Sequence, residues 1–109
     1  MKKNIYCLFS NRDFKPFLVD IANESAEKVL SDLFSKTFSG AKDFPCGVIK
    51  QSWEEGHEVF IHVLQEVVEE EAVELLEYWQ EQLENREEFS PLGTNFSAGL
   101  AKRYGKKEV

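Results

Sequence analysis

Hydrophobic and polar positions follow two different periods along this chain, and the sharpest change of period falls near residue 65. From Glu66 to Glu88 the period is helical. At about 100° per residue, Val68, Ala72, Leu75, Leu76, Trp79 and Leu83 fall on one side of a helix. Glu66, Glu69, Glu70, Glu74, Glu77, Glu81, Glu84, Glu87 and Glu88 fall on the other. Ser90-Pro91 closes the element, because Pro disfavours helical backbone in the residue before it.

Ahead of that helix, residues 48–53 and 59–64 are rich in β-branched and aromatic side chains, which favour strands. Glu55-Gly56 lies between them, and an acid-Gly step between two such runs signals a hairpin turn. That turn pairs Trp53 with Glu58, Gln51 with Phe60 and Ile49 with His62, so these six share one face of the hairpin.

The first half repeats the theme. Residues 5–9 read as a strand, and Ser10-Asn11-Arg12-Asp13 is a turn-prone cluster. One straight helix over residues 14–38 fails, since the Phe14, Phe17, Leu18 and Ile21 face lies about 100° from the Ala26, Val29, Leu30 and Leu33 face. The reading is therefore a strand at residues 17–22 and a helix from about Glu24 to Phe38. Asn23 or Ser25 serves as its N-cap, and Gly40 sits just past its C-terminus. An offset of 43 residues superposes Ile5 on Val48, Phe17 on Phe60 and Leu33 on Leu76, which suggests a pseudo-repeat of residues 4–40 and 47–89.

These elements predict one α+β domain: a mostly antiparallel four-stranded sheet in ββαββα order, with two helices packed on one face. Residues 91–109 read as an irregular C-terminal segment with a short helical turn near Leu100–Tyr104. Lys102, Arg103, Lys106 and Lys107 make its tail basic, either as a solubilising end or as a tether for the acid stripe.

Composition narrows the functions. The chain has 109 residues, 42% of them hydrophobic, and nine Phe, enough for a single packed core and too apolar for a disordered acidic chain. The net charge of −7 argues against direct binding to a nucleic-acid backbone or an anionic membrane, and makes a basic protein the natural complement. Residues 5–9 are too short for a signal-peptide core, and no run approaches a membrane span. A cytoplasmic protein with reduced thiols at Cys7 and Cys46 is expected.

The chemistry is sparse. There is no CxxC, no HExxH, no calcium-loop series and no glycine-rich phosphate loop. His57 and His62, five apart, fall on opposite faces of a strand and make a poor metal pair. No catalytic, cofactor-binding or metal-ligating residue is assigned. The expected partner-binding residues are Glu70, Glu74, Glu77, Glu81 and Glu84, whose one-signed row costs helix stability and has no cation among it. A second expected surface is Gln51, Trp53, Phe60 and His62, unless Phe96, Leu100 and Tyr104 cover it. The functional expectation is a non-enzymatic inhibitor or regulator, monomer or homodimer, that engages a basic protein. Two alternatives accompany it: a nucleic-acid mimic that blocks a nucleic-acid-binding protein, and a small-molecule binder or enzyme using the sheet face around Cys46, Trp53 and His62.

Overall fold

Ile5, Tyr6, Cys7, Leu8 and Phe9 are all buried, although successive side chains of a strand point to opposite faces. A strand apolar on both faces has to be covered on both, and this requirement organises the molecule. The computed structural model describes residues 2–84 and 94–104. Strand β1, Lys2–Ser10, lies between β2, Leu18–Ala22, and β3, Val59–Val68, in a three-stranded antiparallel sheet ordered β2-β1-β3.

Helices cover both faces. On one side Ile5, Cys7, Phe9, Val19 and Val67 pack with Ala72 of α3, Ala72–Glu84, and Leu100 of α4, Thr94–Tyr104. On the other, Tyr6, Leu8 and Val59 are buried together with Thr37 of α1, Ala26–Phe38, and Cys46 and Ile49 of α2, Cys46–Glu54. Burial of Tyr6, with Asp20 opposite it on β2, pushes its phenol up to about 12.

The first half follows its pattern. β2 pairs with β1, Val19 opposite Cys7 and Ile21 opposite Ile5. Ser25 caps α1, its Oγ accepting the Lys28 N–H at 3.3 Å. Gly40, two residues past the helix, takes a φ of +113°.

The second half does not. Residues 48–53 lie in helix α2, so the sheet has three strands instead of four, and the helices occupy both of its faces instead of one. Cys46 and Ile49, three apart, turn inward together. Glu55-Gly56 is a helix cap and not a hairpin turn. The His57 N–H donates to the Ser52 carbonyl at 2.8 Å and the Gly56 N–H to the Trp53 carbonyl at 3.0 Å, the paired bonds that close a helix over a left-handed glycine. Gly56, at φ +85°, supplies the positive φ that either structure needs, which is why the sequence signal is shared. The offset of 43 still carries β2 onto β3 and α1 onto residues 69–81, but it carries β1 onto α2.

Two boundaries also move. β3 runs on to Val68 with a bulge at Leu64, so Glu66 sits in the strand opposite Asn4, 3.8 Å from the Lys2 ammonium. The helical acid begins only with a 3-10 turn at Glu69–Glu71, and α3 starts at Ala72. Residues 94–104 form α4, where irregular chain was expected up to Gly99. Glu87, Glu88 and Ser90-Pro91 lie outside the described residues.

Candidate functional site

Helix α3 is held to the sheet by apolar packing and two side-chain hydrogen bonds. Leu75, Leu76, Trp79 and Leu83 are partly buried against the core. The Trp79 Nε1–H donates to Gln65 Oε1 on β3 at 2.9 Å. Its neighbour Gln80 donates from Nε2 to the Val19 carbonyl on β2 at 3.1 Å. One helix thus spans β1 and grips both flanking strands, which fixes its rotation about its own axis.

That rotation turns the carboxylates outward. Glu74, Glu77, Glu81 and Glu84 of α3 are exposed, as are Glu69, Glu70 and Glu71 of the preceding turn. Among the described residues none of the seven takes part in an ion pair. Carboxylates four apart on a helix are separated by about 6 Å along the axis, which is shorter than the screening length of about 8 Å at physiological salt. Their potentials therefore add into one negative face. Two apolar side chains interrupt it: Val73 is 71% exposed and Tyr78 is 44% exposed. Sequence reasoning passed over both. The signal was present in their phase, since Val73 is one turn from Glu77 and Tyr78 one turn from Glu74 on the acid side.

The second expected surface does not assemble. Gln51 and Trp53 are exposed on α2, where Trp53 meets Phe38 edge-to-face at 5.2 Å and Gln51 donates to Glu55. Phe60 and His62 lie on β3 opposite Phe9 and Cys7, on the far side of the sheet. There Tyr104 covers them. Its ring is 5.2 Å from Phe9 and 5.5 Å from Phe60, and its hydroxyl lies 2.9 Å from His62 Nδ1. Leu100 is buried in the same cluster. Burial, and then the nearby Arg103 guanidinium, lower the His62 pKa from its ordinary value.

The same separation divides the groups of a Cys-His pair. Cys46 is buried on α2, across the sheet from His62. Cys7 is opposite His62 in register, but it is a fully buried core side chain, and burial pushes its thiol up to about 12, away from the reactive thiolate. Among the described residues no three Cys, His, Asp or Glu side chains converge on a point that would hold a metal ion.

No family model, curated protein or solved structure matches this chain. A one-signed helix face projects a field that attracts cations and basic proteins. Among the described residues no helix is long and apolar enough to cross a membrane.

Proposed function

We propose that this protein is a non-enzymatic binding module that engages a basic protein through the acid face of residues 69–84, acting as an inhibitor or regulator of that partner. One observation carries the reading: four exposed glutamates of α3, Glu74, Glu77, Glu81 and Glu84, share one rigidly oriented face that Glu70 of the preceding turn extends, and no cation pairs with any of them among the described residues. Like charges about one turn apart on α3, such as Glu74 with Glu77 and Glu77 with Glu81, each destabilise a helix by about 0.2–0.5 kcal/mol. A solvated face has no need of that cost, and interspersed Lys would remove it.

Val73 and Tyr78 sharpen the proposal. Interfaces gain affinity from buried aromatic and apolar anchors, while charges set approach and orientation. Tyr78 is the anchor of this face, the glutamates are its guides, and the partner surface is lysine- or arginine-rich with an apolar recess. The reading places the protein in the cytoplasm, where the thiols of Cys7 and Cys46 stay reduced.

A second reading belongs to the same face. The row could stand in for a nucleic-acid strand, with carboxylates where phosphates would lie. The spacing of about 6 Å between Glu77 and Glu81 favours it. In that case the partner is itself a nucleic-acid-binding protein, and a nucleic acid competes for it.

The test is affinity capture from the native source at low and at high salt, with the wild-type chain and the Glu70→Gln/Glu74→Gln/Glu77→Gln/Glu81→Gln variant as baits. A basic protein retained by the wild type at low salt and lost with the variant supports the reading. A partner retained equally by both baits contradicts it.

A further inference from the structure

A second surface feature lies away from the acid face. The turn between β1 and β2 folds over α2 and leaves a cleft of about 210 Å³ between them. The turn is a built structure. The Phe14 N–H donates to the Ser10 carbonyl at 2.9 Å, the Arg12 N–H to Ser10 Oγ at 3.3 Å and the Lys15 N–H to Asp13 Oδ1 at 3.1 Å. Asn11 and Glu58 exchange two bonds of 3.0 Å that tie the turn to the start of β3. Phe14 is held at φ +56°, a left-handed conformation that costs a non-glycine residue on the order of 1 kcal/mol and persists only where its surroundings impose it. The wall of the cleft is thus set before any ligand arrives.

The lining is balanced in charge and divided in polarity. Arg12, Lys15, Asp13 and Glu55 give two charges of each sign. Arg12 is shared between both acids through long contacts, 4.0 Å to Asp13 and 3.8 Å to Glu55. Among the described residues, no carboxylate forms an ion pair with the Lys15 ammonium. The hydroxyls of Ser10, which is buried, and Ser52 add donors, while Pro16, Phe17 and Val48 provide an apolar wall.

We propose that this cleft binds a free α-amino acid with an apolar side chain, in its zwitterionic form. A simple anion would meet Asp13 and Glu55 as well as Lys15, and a simple amine would meet Arg12 and Lys15. A molecule with both charges satisfies the two pairs at once: its carboxylate goes to Lys15 and its ammonium to Glu55 and Asp13. Its side chain rests on Pro16, Phe17 and Val48. The volume suits one amino acid and is below that of the pockets that enclose drug-sized ligands. The charged groups are well exposed, so solvent screens them, and the dissociation constant is on the order of 1 mM. The proposal is independent of the acid face.

The experiment is a titration of the uniformly 15N-labelled full chain with L-leucine, followed by backbone amide shifts. Saturable shifts at Arg12, Lys15, Gln51 and Ser52 are expected. N-acetyl-L-leucine, which lacks the ammonium, and 3-methylbutylamine, which lacks the carboxylate, bind about tenfold more weakly or not at all. Lys15→Ala weakens L-leucine about fivefold and leaves the rest of the spectrum in place, because Lys15 is an exposed side chain outside the core. No saturable shift by about 20 mM L-leucine, or equal binding of N-acetyl-L-leucine, overturns the proposal.

Discussion

Trp79 and Gln80 are consecutive in sequence and hydrogen-bond to opposite edges of the sheet, Trp79 to Gln65 on β3 and Gln80 to Val19 on β2. The pair keeps the carboxylates of α3 facing solvent. Trp79→Phe keeps most of the ring and removes the donor to Gln65, and should cost about 1 kcal/mol. Trp79→Ala also removes the packing and should cost about 3 kcal/mol, at the low end for large aromatic truncations because Trp79 is only partly buried. Urea unfolding midpoints measure both. A midpoint unmoved by Trp79→Ala would show that α3 is not seated on this face.

Gly56 separates a backbone effect from a packing effect. A Cβ at Gly56 meets nothing within 4 Å, so Gly56→Ala is opposed only by its φ of +85°. The expected cost is about 1 kcal/mol, and Gly56→Asn should cost less because Asn tolerates left-handed backbone. Because a hairpin turn would also need the glycine, the companion measurement is the Cα chemical shifts of Cys46–Glu54. These should be helical, and extended-strand shifts there would contradict α2.

His62 makes one part of the fold sensitive to acid. Its folded-state pKa is lowered from the ordinary 6.5 by burial and then by Arg103, so the fold favours the neutral ring. Its contribution is fully present above 6.5 and is lost as the pH falls below 6.5 toward the lowered folded value, because the unfolded chain takes up the proton first. Unfolding midpoints should therefore drop as the pH falls through 6.5. His62→Gln, which keeps a hydrogen-bonding group near Tyr104 without titrating, should flatten that slope. An unchanged slope would place the acid sensitivity elsewhere.

Much of the fold was legible, and the misses have definite causes. The drift between the Phe14–Ile21 and Ala26–Leu33 faces was enough to place a strand before α1, because a rigid helix cannot bury two faces so far apart on one sheet. The burial of β1 on both faces is legible too. Five consecutive apolar residues from Ile5 to Phe9 lack the alternation of a one-sided strand, and so require helices on both faces.

Residues 48–53 misled because Val, Ile and Trp favour strands only where a pleated surface receives them, and here α1 and β3 offer a groove for a helix. The start of α3 was misplaced because Glu66 fits the acid side and Val68 the apolar side of the helical period, while the same residues also continue strand β3. For the candidate site, the orientation of Glu74, Glu77 and Glu81 followed from helical period alone. The division of Trp53 from His62 did not, because it depends on which residues the missing fourth strand would have paired.

The central claim is that the acid face accelerates the approach of a basic partner. The decisive measurement is the stopped-flow association rate with that partner across a salt series, comparing wild type with Glu70→Gln/Glu74→Gln/Glu77→Gln/Glu81→Gln. Removing like-charge neighbours should leave the variant slightly more stable to urea. At low ionic strength its association should be slower by about tenfold, and the two rates should converge as salt rises. Equal association rates at low salt, with the stability gain still present, would contradict the claim and leave the face a solubilising surface.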